Sequence, residues 1–401
     1  GCLNLDYLNK KTVRDIDVKG KRVFLRCDFN VPFDEKGNIT DTKRIDESLK
    51  TIKYLIDNDA KLILCSHLGR PKNGFEDKLS LKPVAKYLKE VLGRDVKLAK
   101  DVAGEDTKRI VNSLKPGEIC MLENIRFEDG ERSNSPEFAK KLASLADVCI
   151  NDAFGASHRA HASTAGVAKL LPAGYGFLIE KEISTMSRIL NNPKRPFVSI
   201  LGGAKISDKI GVINSLLDKV DVLIIGGGMS YTFANALGYS VGTSLCETEK
   251  LGLAKDMMAK AKEKGVKLLL PIDVKVAKEY DPNAEYKVVS FDKIPDGWMG
   301  LDIGPKTAKL FSEAIAGAGT VVWNGPMGVS EWENFASGTF AVAKAIAESG
   351  AISIIGGGDS AAAIYKLGFA SKMTHISTGG GASLTFLEGK PLPALEVIED
   401  R

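Results

Sequence analysis

The chain has 401 residues, of which 44% are hydrophobic and 26% charged, with 55 Lys and Arg against 51 Asp and Glu. These are globular values at a length that allows two domains, each with its own core. The formal net charge of +4 implies no nucleic-acid surface, and no run approaches the roughly 18 apolar residues of a membrane-spanning helix.

The N-terminal Gly1-Cys2-Leu3-Asn4-Leu5-Asp6 has no basic or apolar signal region and no initiator Met. It reads as processed or introduced by cloning, and a cytoplasmic location is expected. Cys2, Cys27, Cys65, Cys120, Cys149 and Cys246 show no C-x-x-C spacing, and several sit in apolar runs, which predicts reduced core thiols.

In the first half, short apolar runs alternate with stretches of helical period. Strands are predicted near 22–28, 61–66, 119–123 and 147–151, and helices near 49–58, 81–92 and 136–146. Polar motifs follow the strands: Cys27-Asp28-Phe29-Asn30-Val31-Pro32, Ser66-His67-Leu68-Gly69-Arg70-Pro71, Leu122-Glu123-Asn124-Ile125-Arg126-Phe127, and Asn151-Asp152-Ala153 running on to Arg159 and His161. Arg44 is read as lying in the loop before a helix. Ligands of open α/β sheets collect at the carboxyl ends of strands. An isolated arginine is more simply a surface ion-pair partner. Four on one rim suit a doubly anionic ligand, because the guanidinium fork binds phosphate or carboxylate through two hydrogen bonds. No spacing resembles a zinc site.

Leu171-Pro172-Ala173-Gly174-Tyr175-Gly176 reads as a domain boundary, followed by an amphipathic helix over 177–190 that Asn191-Asn192-Pro193 closes. The expected division is 1–171, a linker and hinge helix over 172–192, and 193–388. The tail 389–401 is either frayed or docked, and its sequence decides neither.

Strands of the second half are predicted near 197–201, 222–225, 267–271, 320–323, 352–355 and 374–377, with a helical stretch over 332–347. Apolar runs here end in glycines: Leu201-Gly202-Gly203-Ala204-Lys205, Ile225-Gly226-Gly227-Gly228, Trp323-Asn324-Gly325-Pro326, Ile355-Gly356-Gly357-Gly358-Asp359 and Thr378-Gly379-Gly380-Gly381. Glycine lets bare backbone approach a ligand, and the helix that follows points free N–H groups at it. One such turn is as readily a plain connection; five argue for a phosphate or nucleotide shelf. The fold class is therefore α/β, two doubly wound parallel-sheet (Rossmann-like) domains joined by a hinge helix.

Other chemistries fit poorly. No G-x-x-x-x-G-K-[ST] occurs, which excludes ordinary P-loop enzymes. Gly356-x-Gly358-x-x-Ala361 fits a dinucleotide fingerprint, but the acidic residue expected about twenty positions later is missing, which disfavours a dehydrogenase. G-x-S-x-G is absent. A cationic rim on one domain and glycine shelves with Lys205 and Lys209 on the other point to phosphoryl transfer between domains, with closure expelling water.

In this order and across essentially the whole chain, RCDFNVP, SHLGRP, LENIRF, NDAFGASHRAH, LGGAKISDKI, IGGGMSYTF, WNGPMGV, IGGGDSA and STGGGASL resemble the phosphoglycerate kinase family. The resemblance implies a two-domain monomer that uses Mg²⁺ with ATP or ADP and reversibly interconverts 3-phosphoglycerate and 1,3-bisphosphoglycerate, a step of glycolysis. It implies that Asp28 and Asn30 hold the hydroxyl and carboxylate end of the acid, that His67, Arg70, Arg126 and Arg159 grip its phosphate, and that Arg44 sits nearest the reacting carboxylate. For the nucleotide it implies an adenine slot of Gly203, Ala204, Gly227, Gly300, Leu301, Pro326 and Val329, with Glu331 at the ribose. Asn324, Gly358, Asp359 and Ser360 would attend the phosphates, and Asp359 the magnesium. Lys205 would neutralise the moving phosphoryl group, Lys209 would contact the nucleotide phosphates, and the N–H groups of Gly380 and Gly381 would point at the transferring oxygens. Ser360 stands where threonine is frequent in the family. The tail would return to the first domain.

A carboxylate nucleophile is ionised at neutral pH, so no general base is required. Arg44 and Lys205 are expected to supply most of the transition-state stabilisation. The alternative is a catalytically silent nucleotide-binding protein on the same scaffold, against which the retention of Arg44, Lys205 and Asp359 argues.

Overall fold

Arg22–Arg26 (β1) is buried from its second residue onward, as expected of a strand covered by helices on both faces of a parallel sheet. The computed structural model describes residues 6–401, so Cys2 and the first residues of the N-terminal motif lie outside the described residues. Two compact units result, one formed by the chain up to Ser184 with Lys390–Arg401, the other by Thr185–Gly389.

In the first unit β1 is followed by α1 (Lys43–Asp57), β2 (Lys61–Cys65), α2 (Lys82–Leu92), β3 (Val96–Leu98), α3 (Glu105–Ser113), β4 (Ile119–Met121), α4 (Pro136–Ala143), β5 (Val148–Asn151) and β6 (Ala173–Tyr175). The strands pair in parallel in the order β3-β4-β2-β1-β5-β6. Ile45, Ile52, Leu55 and Ile56 form the inner stripe of α1 and belong to one core with Val23, Leu25, Leu62 and Leu64, the spacing a helix needs to bury a single face. Connections run to one side of β1 and then return at β5, which makes the β1/β5 junction the switch point where ligands bind in such sheets.

Two expectations are corrected here. Residues 171–176 are not a bare boundary, because Ala173–Tyr175 is the edge strand β6. Gly174 is required by a close backbone approach: a Cβ there would lie 2.8 Å from the Thr12 carbonyl oxygen. Arg44 lies within the first turn of α1 and not in a preceding loop, since the polar start of that helix masks its period.

The helix α5 (Phe177–Asn191) contains the boundary between the units. Its first N–H groups are all received by side chains of the first unit. Phe177 donates to Thr51 Oγ1 at 3.0 Å, and Leu178 and Ile179 donate to Asp152 Oδ1 at 2.9 and 3.3 Å. Asp152 is fully buried, and that burial pushes its carboxyl up to about 7 against the opposing pull of these donors.

The second unit runs β7 (Phe197–Leu201), α6 (Ile210–Leu217), β8 (Val222–Ile225), α7 (Ser230–Ala236), α8 (Leu251–Glu263), β9 (Lys267–Leu269), β10 (Asp273–Ala277), β11 (Tyr286–Ser290), β12 (Met299–Ile303), α9 (Pro305–Ala316), β13 (Thr320–Asn324), α10 (Ser337–Ser349), β14 (Ile352–Gly356), α11 (Gly358–Lys366), β15 (His375–Ile376) and α12 (Gly380–Leu387). Its main sheet is parallel in the order β15-β14-β13-β7-β8-β9, with Ile200, Trp323, Ile355, Phe311 and Val342 in its core. The connections reverse between β7 and β13, a second switch point. A separate antiparallel sheet, β11-β10-β12, was not anticipated. The helix expected over 332–347 begins only at Ser337, after a short 3₁₀ turn at Glu333–Phe335.

The tail is not frayed. A short helix, α13 (Pro393–Glu396), follows the buried Leu392. Tyr7 Oη donates to Glu396 Oε1 at 2.7 Å and accepts from the Leu392 N–H at 2.8 Å, while Lys11 pairs with Glu399 at 3.0 Å. Cys27, Cys65, Cys120 and Cys149 are free and buried, and Cys246 is free and partly exposed. Among the described residues no helix is long and apolar enough to cross a membrane.

Candidate active site

The loops after β1, β2, β4 and β5 meet at the first switch point. Asn30 ties the loops after β1 and β2 to α1: its N–H donates to Asp28 Oδ1 at 3.1 Å, its Oδ1 accepts from the Gly69 N–H at 2.9 Å, and its carbonyl accepts from Arg44 Nη1 at 3.0 Å. Arg44 Nη1 also lies 3.5 Å from Asp28 Oδ1, and Arg126 Nη1 donates to the Gly69 carbonyl at 3.1 Å. Asn124, buried and absent from the expected set, organises the 66–81 loop by binding Leu68 through both N–H and C=O, and Leu79 through its carbonyl. Asp28, Asn30, Arg44 and Arg126 are thus brought together. Arg70 and Arg159 project from the loops after β2 and β5, are exposed, and form no ion pair among the described residues.

Positive charge here exceeds what the protein answers. Burial, then Arg132 and Arg26, lower Arg126 to about 10. Burial, then Arg126, Arg26 and Arg159, lower His161 to about 4. Burial and Arg26 hold His67 well below the usual imidazole range. Arg126 Nε and His161 Nδ1 are buried without a hydrogen-bond partner. Crowded like charges and unpartnered polar atoms of this kind mark a site made for an anion.

At the second switch point the turns after β7, β8 and β13 interlock through glycine. A Cβ on Gly202 would lie 2.0 Å from the Pro326 carbonyl oxygen, and one on Gly227 would lie 2.7 Å from the Gly203 nitrogen. The latter residue and Gly203 have φ of 71° and 119°, which side-chain-bearing residues rarely adopt. Beside them opens a cavity of about 590 Å³, within the usual range for a small-molecule site. Gly203, Ala204 and Gly227 line it together with Gly300, Leu301, Pro326 and Val329. Glu331 and Asp359 supply its carboxylates. Burial and repulsion from Glu331 push Asp359 up. Gly300 is also sterically required, since a Cβ would meet Tyr231 Oη at 2.0 Å.

Beyond the cavity, Lys209 Nζ donates to Asn324 Oδ1 at 2.9 Å, and Asn324 Nδ2 is buried without a partner. Lys205 and Gly358 are exposed. Gly380 and Gly381 open α12, and Gly358 opens α11. A Cβ on Gly380 would lie 3.1 Å from Gly357 Cα, so the two helix starts bring their free N–H groups close together. Ser360, expected at the phosphates, is fully buried, and its Oγ accepts the Gly325 N–H at 2.9 Å. It shapes the turn from beneath and does not face the cavity.

The residues sequence reasoning missed come from unanticipated elements. Tyr280 and Met299 line the cavity from the antiparallel sheet and its connections, and the Tyr280 ring packs on Trp332 with centroids 4.5 Å apart. Asp302 at the end of β12 accepts the Gly338 N–H at 3.0 Å, and burial pushes it up to about 7. On the rim the missed residue is Arg26, wholly buried behind His67.

The phosphoglycerate kinase family profile matches residues 13–390. The chain is 58% identical over 396 residues to the phosphoglycerate kinase of Clostridium kluyveri, covering 98% of this chain and 99% of that one. The chain belongs to the phosphoglycerate kinase family. The Clostridium tetani phosphoglycerate kinase is 56% identical over the same length, with coverage of 98% and 98%. Among solved structures, phosphoglycerate kinase from Coxiella burnetii superposes with a TM-score of 0.85 at 44% identity, covering 97% of this chain and 98% of that one. That from Pyrococcus horikoshii gives 0.83 at 34%, covering 96% and 98%. Membership of the phosphoglycerate kinase family makes this chain an ATP-dependent phosphotransferase of glycolysis.

Proposed function

We propose that the first unit holds 3-phosphoglycerate and the second holds ATP with Mg²⁺, for reversible phosphoryl transfer to the acid's carboxylate, giving 1,3-bisphosphoglycerate and ADP. The observation that carries this reading is the unanswered positive charge around Arg126, His161 and His67. A phosphate dianion relieves it. Arg126, Arg70, Arg159 and His67 then grip the phosphate, Asp28 and Asn30 orient the other end of the acid, and Arg44 lies by the reacting carboxylate. No base is needed, and burial and arginines hold His67 and His161 below the usual imidazole range, which makes both weak proton acceptors.

For the nucleotide, the glycine walls take the flat base, Glu331 the ribose, and Lys209 with Asn324 the phosphates. Gly380 and Gly381 offer bare N–H groups, and Lys205 neutralises the group in flight. Among the described residues no three metal-binding side chains cluster, which fits a magnesium ion held by one or two carboxylates plus substrate phosphates. Asp359, which burial and then Glu331 push up, is the residue to hold it. Bound there, magnesium screens phosphate charge. We read the protein as a cytoplasmic monomer.

The test is ATP consumption with 3-phosphoglycerate and Mg²⁺, coupled to NADH oxidation by glyceraldehyde-3-phosphate dehydrogenase. Turnover that disappears when either the acid or magnesium is omitted is the expected result. A folded, ATP-binding protein without turnover would establish the silent scaffold instead.

A further inference from the structure

We propose that Arg26 fixes His67 as the neutral Nε2–H tautomer, so that the ring serves the bound acid as a hydrogen-bond donor and never as a base. Arg26 is a positioning residue in this account. Its Nη2 lies 3.0 Å from His67 Nδ1. A guanidinium has donors only, so Nδ1 must accept, and the single ring proton is left on Nε2.

The guanidinium is itself fixed on every side. Its Nε donates to Ser163 Oγ at 2.7 Å, and its Nη1 donates to the Cys27 carbonyl. Ser163 passes the contact on: its Oγ donates to Glu131 Oε2 at 2.6 Å, and its N–H donates to Glu131 Oε1 at 2.7 Å. Arg26, Ser163 and Glu131 are 1%, 1% and 0% exposed. Glu131 lies 3.9 Å from Arg26 Nη2 and supplies the countercharge that a buried arginine needs.

The charged groups around His67 all oppose its protonation. They are Arg26 from β1, Arg44 from α1 and Arg126 after β4, while His161 in the loop after β5, itself neutral, is the other titratable group that faces the ring. Both carboxylates nearby are engaged elsewhere, Glu131 by Ser163 and Asp28 by Asn30 and Arg44. An imidazolium would direct a second N–H at a guanidinium that can only donate. Burial adds to the penalty, since His67 is 6% exposed.

The tautomer is a property of the protein alone, while its use by the substrate rests on the reading of His67 as a phosphate contact. The experiment is long-range ¹⁵N–¹H correlation spectroscopy of the full chain with labelled histidine, from pH 5.5 to 9, with His67→Gln to identify the ring. The expected result is a bare Nδ1 and a protonated Nε2 across that range. A proton on Nδ1, or a titration midpoint above pH 5.5, overturns the proposal, and this reading needs no Arg26 variant to fold. Where Arg26→Met folds, its His67 ring should titrate and mix tautomers, and KM for 3-phosphoglycerate should become pH-dependent while the wild type stays flat. An unchanged ring in that variant also overturns the proposal. Should His67→Gln leave KM for the acid unaltered while the wild-type ring is fixed as described, the phosphate-contact reading fails and the tautomer assignment stands.

Discussion

Lys209 Nζ lies 2.9 Å from Asn324 Oδ1, and both side chains are buried at the nucleotide end of the second unit. The amide oxygen holds the ammonium, whose pKa burial lowers, while the amide nitrogen is left without a partner. Asn324→Ala should therefore strand a buried cation. We expect a loss of roughly 1–3 kcal/mol in urea titrations together with a rise in the KM for ATP. Wild-type stability in the variant would mean that Lys209 finds another acceptor.

The exposed Lys205 and the half-exposed Arg44 are placed to act on charge that develops during transfer. Lys205→Ala should cut kcat far more than it raises the KM for nucleotide, and Arg44→Ala should lower kcat with only a mild change in KM for 3-phosphoglycerate. Steady-state kinetics with each substrate varied decide this. A raised KM at intact kcat would make either residue a binding group only.

A methyl group on Gly202 has nowhere to go, because its Cβ would lie 2.0 Å from the Pro326 carbonyl oxygen and 2.6 Å from that of Gly325. Both are backbone atoms of the neighbouring turn. Gly202→Ala should push the β7 and β13 turns apart and weaken ATP binding by about tenfold or more, equivalent to at least about 1.4 kcal/mol. Calorimetric titration with ATP measures it. Unaltered affinity would show that the interlocked turns do not shape the nucleotide cavity.

Asp152 links stability to pH. Its folded carboxyl titrates at about 7 against an ordinary 3.8, so the folded protein holds a proton that the unfolded chain has released. That stabilisation is complete below about pH 4 and disappears as pH rises through 7. It is on the order of 4 kcal/mol for a shift of this size. Asp302, also raised to about 7, contributes in the same direction. Asp152→Asn keeps an oxygen for the Leu178 and Ile179 N–H groups but cannot ionise. The fall in urea midpoint between pH 5 and pH 8 should shrink by about half in the variant. An identical pH profile would remove Asp152 from the account.

Much of the architecture was legible because the strands of a parallel sheet, buried on both faces, read as apolar runs that stop at glycine. Gly202 and Gly227 carry that signal for steric reasons the structure makes explicit. The antiparallel sheet was not legible. Tyr286–Ser290 is largely exposed and lacks a buried face whose period could be read, so Tyr280 and Met299 were missed at the cavity with it. Gly174 was misread as a breaker because a close backbone contact and a flexible linker call for the same residue. Arg26 was invisible for a different reason: its partner Ser163 stands 137 residues away, and nothing around the strand announces that its guanidinium turns inward. Ser360 shows the converse, a motif residue whose hydroxyl is taken by the adjacent turn.

Residues 390–401 belong to the same unit as the segment leading up to Ser184, with Tyr7 and Lys11 held by Glu396 and Glu399. During synthesis the second unit can therefore emerge entire while the first still lacks Leu392, Ala394, Leu395 and Ile398 from its interior. The part made first is the part finished last. A ribosome that stalls after Gly389 would release a protein with a complete nucleotide shelf and a first unit still open at its interior, which ties the maturation of the acid-binding rim to a segment made after the whole of the second unit.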